Sequence, residues 1–260
     1  MTAQHPLERF TDRAQDYAKY RPGNPPSALL KILAFAQESL GQGMAPSSPP
    51  LRVADIGAGT GISCRLLAAQ GAEVTAVEPN QAMVEAAADS PAVTWQIGQA
   101  EATGLASQSV DVVTCFQSFH WFRPEQALPE FHRILRPGGS LALVWNDRNS
   151  TRGFTEALEA LVQRITGNRY LNSENRRSVA AVEAHPRFGP IQHSTYDYRQ
   201  VFDFDGLVGR CRSSSYIPKQ GPAYDDLMAG LRQIFRQWQS PQGTVEILYQ
   251  THLYLAPCNH

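Results

Sequence analysis

This sequence predicts an α/β fold built on a doubly wound, mostly parallel sheet. Three observations carry that prediction. Apolar stretches of strand length alternate with helical stretches between residues 51 and 146. A glycine-rich turn, Gly57-Ala58-Gly59-Thr60-Gly61, joins the first apolar strand to the first helix of that series. The next apolar strand ends on an acidic residue, Glu78. A chain of 260 residues, 42% of them hydrophobic, suits one large domain with added elements.

The elements follow from pattern and punctuation. Residues 7–20 predict a helix with Phe10, Ala14 and Tyr17 on one face, broken by Arg21-Pro22-Gly23-Asn24-Pro25-Pro26. A second helix is expected over 27–40, and Gly41 to Pro50 is a Gly/Pro/Ser linker. Strands are expected at 51–56, 73–78, 92–97, 110–116 and 139–146, with helices at 62–70, 80–88 and 124–135. Pro129 should kink the last of these or delay its start. Beyond Asn146 the pattern is less regular: helices at 153–166, 205–212 and 223–238, a polar, arginine-rich stretch at 167–190, and strands at 191–204 and 244–255.

Bulk properties exclude several functions. A formal net charge of -1 offers no footprint for nucleic acid. No run of about 18 apolar residues predicts a membrane span. Cys64, Cys115, Cys211 and Cys258 are widely spaced, which reads as buried thiols rather than disulfides or metal ligands. With a polar segment from Met1 to Phe10, the expectation is a cytoplasmic protein that binds no metal.

Glycines at 57, 59 and 61 allow backbone dihedrals closed to other residues and let a ligand lie on the main chain. An acidic residue at the next strand end is placed to grip a ribose diol. Together they predict a nucleoside-bearing cofactor. The dinucleotide pattern G-x-G-x-x-G fails, because Ile62 stands at its third glycine, and no Lys-Ser/Thr pair follows for a phosphate loop.

The stretch from Val53 to Gly61 instead resembles the first motif of class I S-adenosylmethionine methyltransferases. Gly98-Gln99-Ala100-Glu101, Asp111 to Phe122 and Arg133 to Gly139 match that core in order and spacing. Tyr17-Ala18-Lys19-Tyr20-Arg21-Pro22 and His120-Trp121-Phe122 are similar to a subfamily that includes small-molecule enzymes such as trans-aconitate methyltransferases. The resemblance covers residues 10–147. It implies a Rossmann-like, seven-stranded sheet with a final antiparallel strand, an N-terminal helical lid (1–45), a cofactor-binding core (51–147), and a C-terminal part (148–260) carrying a helical insertion.

The resemblance also assigns roles. Asp55 would orient the cofactor ammonium, while Gly57, Ala58, Gly59 and Gly61 would carry its methionine part. Glu78, followed by Pro79, would hold the ribose, and Gln99, Ala100 and Glu101 the adenine. Gln117 would open toward the transferred methyl. Tyr17, Tyr20 and Arg21 would form a lid over the cofactor carboxylate. His120 is a candidate catalytic base, or a structural residue beside Trp121. Arg210, Arg212, Ser213, Ser214, Ser215, Tyr216 and Pro218 form a dense polar cluster, and Trp121, Arg212, Ser215 and Tyr216 are candidates for holding an anionic or polar small-molecule acceptor. S-adenosylhomocysteine would be the product. Other readings stay open: Asp55 as a brace for the turn, Glu78 as a surface charge, Tyr17 and Tyr20 as ordinary helix packing, and the serine-arginine segment as a solvated loop. For the whole protein, a regulatory S-adenosylmethionine binder without turnover and a nicotinamide oxidoreductase remain alternatives.

Overall fold

The structure is a computed structural model and describes residues 11–41, 49–87, 91–151, 153–167 and 173–260. Seven strands form one sheet in the order β3-β2-β1-β4-β5-β7-β6. They are β1 (Arg52–Ile56), β2 (Glu73–Val77), β3 (Val93–Gln96), β4 (Val110–Phe116), β5 (Leu135–Arg148), β6 (Gln192–Phe202) and β7 (Val245–Pro257). The first five pair in parallel, and β7 runs antiparallel to both β5 and β6. The order turns back on either side of β1, so the C-terminal ends of β1, β2 and β4 border one crevice, the place where such sheets bind ligands.

The helices are α1 (Ala14–Tyr20), α2 (Pro26–Ser39), α3 (Ile62–Ala68), α4 (Gln81–Glu85), α5 (Pro124–Ile134), α6 (Gly153–Thr166), α7 (Ser173–Glu183), α8 (Phe204–Arg212) and α9 (Pro222–Trp238). Alternating side chains give the sheet two buried faces. Val53, Val112 and Val144 meet α2 and α3 through Leu29, Ile32, Cys64 and Leu67. Ala54, Val113, Cys115 and Trp145 meet α5 and α7 through Leu128, Phe131, Ile134 and Val182. A third core lies beside the start of β7. There α6, α8 and α9 bury Leu158, Leu161, Leu207, Leu231 and Phe235 against Val245, Ile247 and Tyr249. The α6–α9 contact is tight: a Cβ on Gly230 would lie 2.4 Å from Leu161 Cδ1.

The structure adds detail to four expectations. Of the expected helical lid over 1–45, residues 11–41 are described. Helix α2 carries Ala28, Leu29, Ile32, Leu33, Phe35 and Ala36 buried, and it packs on β5 and β7, so it belongs to the sheet's covering layer. The predicted helix start over 7–10 lies outside the described residues. The polar stretch 167–190 contains α7, which packs on α5 and on the 3₁₀ turn Phe119–Trp121; its mixed pattern hid the small apolar face of Val179 and Val182. Pro129 sits inside α5, which still starts at Pro124, so the proline does not delay the start of the helix. Finally, β5 runs on to Arg148, since Asp147 and Arg148 pair with Gln250 and Tyr249 of β7. No helix among the described residues is long and apolar enough to cross a membrane. All four cysteines are buried free thiols.

Candidate active site

The glycine turn is pinned before any ligand arrives. The N–H groups of Gly57 and Ala58 both donate to the Val77 carbonyl, at 2.9 and 3.2 Å. Gly57, Gly59 and Gly61 have φ of 69°, 59° and 70°, the left-handed region that favours glycine. Space imposes the same choice at two of them. A Cβ on Gly57 would meet Ser118 Cβ at 2.7 Å, and one on Gly61 would meet the Trp95 ring at 2.9 Å. Ser118, which sequence reasoning passed over, donates its hydroxyl to the Ile56 carbonyl at 2.7 Å and so ties the end of β1 to the end of β4.

Glu78 reaches the same turn. Although it follows the last residue of β2, it is buried. Its Oε2 accepts from the Gly59 N–H at 2.8 Å and its Oε1 from the Asn80 N–H at 3.0 Å. Burial raises its pKa above the ordinary carboxylate value, and the two N–H donors only partly offset that. It is therefore no surface charge. Pro79 is half-buried after it, and the Asn80 side chain caps α4 by accepting from the Ala82 N–H at 3.0 Å.

Asp55 lies opposite Thr114 in the β1–β4 register. It is 1% exposed. Its oxygens accept from Cys64 Sγ at 3.0 Å and Thr114 Oγ1 at 2.9 Å. Burial is the dominant influence and pushes its pKa up to about 7, against the lowering effect of both donors. In this arrangement Asp55 braces the start of α3 against β4.

The adenine-side residues divide. Gln99 is exposed and exchanges backbone hydrogen bonds with Ala102 at 3.2 and 3.1 Å. Ala100 is buried. Glu101 turns away to Arg123, accepting from its N–H at 2.9 Å and its Nε at 3.4 Å, and so fixes the entry to α5. Ile97, which the sequence reading did not single out, is 52% exposed at the end of β3.

The lid residues also separate. Tyr17 lies on the turn, its ring 3.5 Å from where a Gly59 Cβ would be. The Arg21 guanidinium stands 4.7 Å from the Tyr17 ring centre. Tyr20 points elsewhere: its ring fills the space beside Gly209 on α8, where a Cβ would come within 2.2 Å of it. Tyr17 thus stands against the glycine turn and Tyr20 against α8. The Arg21–Pro25 segment is anchored by Asn146, which donates to the Gly23 carbonyl at 2.9 Å, and by Asn24, which donates to Ser63 Oγ at 3.0 Å.

At the other side of the crevice, Gln117 adopts φ 57° at the end of β4, an uncommon conformation for a side-chain-bearing residue. Its amide donates to the Asn146 carbonyl at 3.3 Å. His120 follows in the 3₁₀ turn, its ring 4.8 Å from that of Trp121. Trp145 Nε1 donates to His120 Nδ1 at 3.2 Å. An indole N–H can only donate, so in neutral His120 the proton sits on Nε2. In that tautomer the only basic lone pair is on Nδ1, where the indole N–H already binds, so Nε2 can donate a hydrogen bond but cannot take up a proton.

Of the acceptor candidates, Arg212 is misplaced. Its Nε pairs with Asp16 Oδ2 of α1 at 3.4 Å, and its side chain is about half exposed. It lines an outer groove with Asp12, Arg13, Asp16 and Glu85 that includes neither Glu78 nor Gln117. At the last turn of α8, Arg212 faces out and Arg210 faces in. Ser215 is half-buried. Tyr216 accepts from Arg148 Nη2 at 3.0 Å, inside the cap. The fold also assembles a Cys/His group that wide spacing concealed: ligand atoms of His132, Cys258 and His260 lie within 4.8 Å of one another, far along the chain from the glycine turn. His132 already meets the Asn259 carbonyl and Arg187, each at 3.0 Å.

Comparison with known proteins agrees with this geometry. The profile of the methyltransferase domain family matches residues 54–143. The chain is 33% identical over 212 residues to an uncharacterized methyltransferase of Schizosaccharomyces pombe, covering 80% of this chain and 79% of that protein. It is 37% identical over 149 residues to an uncharacterized methyltransferase of Mycobacterium tuberculosis, where the match spans 57% of this chain and 56% of the relative. A provisionally assigned type II methyltransferase from Anaeromyxobacter dehalogenans superposes with a TM-score of 0.69 at 21% identity, covering 93% of this chain and 100% of the other. The Haemonchus contortus phosphoethanolamine N-methyltransferase 2 bound to S-adenosyl-L-methionine shares the fold at a TM-score of 0.51 and 18% identity, over 98% of this chain and 59% of that one. With its sheet order, its pinned glycine turn and these relatives, the chain belongs to the class I S-adenosylmethionine-dependent methyltransferase family.

Proposed function

We propose that this chain transfers the methyl group of S-adenosylmethionine to a small-molecule acceptor in the cytoplasm and releases S-adenosylhomocysteine. The observation that carries the reading is the meeting of Glu78 with the Gly59 backbone at the strand ends. A buried carboxylate there can accept from two ribose hydroxyls, while the glycine turn admits the methionine part. Asp55 and Arg21 bear charges opposite to a ligand ammonium and carboxylate. Ile97 and Ala100 offer apolar cover for adenine, with Gln99 at its edge; Pro79 and Gln117 border the two ends. Tyr17 closes over the turn. Four buried free thiols accord with a reducing compartment.

When bound, the cofactor supplies an activated methyl on a sulfonium, which departs as a neutral thioether. The protein's part is then alignment, and well-oriented reactions gain about 7–11 kcal/mol from it. Gln117, held by Asn146, and the Ser118 tie between β4 and β1 set the wall of that passage. His120 and Trp121 flank it. A His120→Gln variant retains an acceptor for the Trp145 indole, and its kcat should fall by less than about tenfold. A general base typically contributes about 10²–10⁴-fold, so a loss in that range would make His120 the base.

The test of the reading is S-adenosylhomocysteine formation, followed by mass spectrometry, with a small-molecule cell extract as the acceptor source. RNA and denatured protein fractions serve as rivals. Turnover with the small-molecule fraction is expected. Tight S-adenosylhomocysteine binding without turnover on any fraction would favour the regulatory binder.

A further inference from the structure

The cap buries a set of charges that cofactor binding does not account for. Arg210, on α8, is 4% exposed. Its Nε donates to the Tyr249 hydroxyl at 3.1 Å and its Nη1 to Ser214 Oγ at 3.0 Å. Arg148, at the far end of β5, is equally enclosed, its Nη1 2.7 Å from Glu159 Oε2 and its Nη2 3.0 Å from the Tyr216 hydroxyl. Arg21 reaches in from the end of α1, donating to the Ser213 carbonyl at 3.4 Å. Burial alone would raise the Tyr216 phenol, yet Arg148, Arg210, the Ser214 hydrogen bond and Arg21 together bring its pKa below the ordinary value. That result reports a strongly positive surrounding.

Charge and position both point to a ligand. Arg148 and Arg210 bring two guanidinium groups into one buried cluster, with the Glu159 carboxylate against Arg148. Burying charged groups is expensive unless they are paired and hydrogen-bonded. The cluster also lies next to the methyl passage. Arg148 stands two residues beyond Asn146, whose carbonyl holds Gln117. Arg21 bridges the two sites, with Tyr17 and the glycine turn on one side and Ser213 on the other. Guanidinium groups present planar forks that match an oxyanion with two hydrogen bonds. Two guanidinium groups beside the hydroxyls of Tyr216, Tyr249 and Ser214 suit one such group.

We propose that Arg148, Arg210 and Tyr216 form the acceptor-binding site and hold a small molecule by a carboxylate or phosphate oxyanion. This rests on the methyltransferase reading above and extends it to the substrate class. It replaces Arg212 with Arg210 and Arg148 as the anion-holding residues, and it separates acceptor anchoring from Arg21, which serves the cofactor side.

The test uses the protein loaded with S-adenosylhomocysteine. Succinate and inorganic phosphate are titrated separately by calorimetry, at ionic strength held constant with sodium chloride. Succinate reports a carboxylate site and phosphate a phosphoryl site. Binding of at least one anion is expected. It should weaken by about tenfold or more, the scale of a charge-assisted hydrogen bond, in two variants: Tyr216→Phe, and the charge-balanced double variant Arg148→Gln/Glu159→Gln. The double variant removes both partners, so no buried charge is stranded. S-adenosylhomocysteine affinity should be unchanged in both variants, which shows that they are folded. If S-adenosylhomocysteine binds but neither anion does at millimolar concentration, the inference is overturned while the cofactor assignment stands. Equal anion affinity in the variants overturns it too. If the wild type fails to bind S-adenosylhomocysteine, both readings fall.

Discussion

Replacing Asp55 with asparagine will remove a pH dependence from both stability and cofactor binding. In the free protein, Asp55 is buried and its pKa is raised from 3.8 to about 7. Between those values the folded state keeps a proton that the unfolded state has released, so the unfolded state binds fewer protons. Stability contributed by this group therefore falls as pH rises through that window, and the loss is complete above pH 7. A rise of that size corresponds to a cost on the order of 4 kcal/mol, offset elsewhere in the fold. Asparagine has no such titration. The Asp55→Asn variant should match wild type near pH 4 and exceed it above pH 7 by a few kcal/mol in denaturant unfolding.

Ligand binding should move the other way. An ammonium group beside Asp55 favours its ionised form, so binding is linked to proton release. Wild-type affinity for S-adenosylhomocysteine should rise several-fold from pH 6 to pH 8 and then level. The asparagine variant should bind more weakly at pH 8 and show a flat profile. A flat wild-type profile would mean that Asp55 only braces Cys64 and Thr114.

The second large effect belongs to Glu78. Its carboxylate holds the Gly59 and Asn80 N–H groups in the free protein, and two further lone-pair positions remain for ribose hydroxyls. Glu78→Gln keeps the size, loses the charge and turns one acceptor into a donor facing an N–H. Charge-assisted hydrogen bonds are each worth about 1.5–3 kcal/mol, so S-adenosylhomocysteine affinity should drop by about ten- to a hundredfold. Thermal midpoints with and without ligand will read this directly: the wild-type shift should be large and the variant shift small at equal ligand concentration. A full shift in the variant would remove Glu78 from the ribose site.

Much of the core could be read from local pattern. Strands β1 to β4 and helix α3 declare themselves by short-range periodicity, and Gly57, Gly59 and Gly61 by a turn that only residues without a Cβ can make beside Ser118 and Trp95. The spacing of those glycines is a property of neighbours in sequence, and so were the positions of Glu78 and Gln117 at strand ends, whereas the contacts with Ser118 and Trp95 come from the fold. The last strand was visible in the alternation of Val245, Ile247, Tyr249, Thr251 and Leu253, and its antiparallel direction was implied by the family resemblance.

The rest depended on which distant residues the fold brings together. Nothing local distinguishes Arg210 from Arg212; two positions on a helix differ by more than half a turn, and only the packing of α8 against β7 and α1 sends one inward to Tyr249 and the other outward to Asp16. Tyr20 is diverted by Gly209, and His120 is claimed by Trp145, each through a contact across the chain. Arg148 lies beyond the predicted end of its strand because β7 extends the pairing there. Periodicity tells which residues are buried, but the partner of a buried charge is chosen by long-range packing. The glycine turn and Glu78 were therefore legible in the sequence, and the segment from Arg210 to Pro218 was legible as a polar cluster, while the contacts that join Arg210 to Tyr249 and Arg148 to Tyr216 emerged only from the assembled fold.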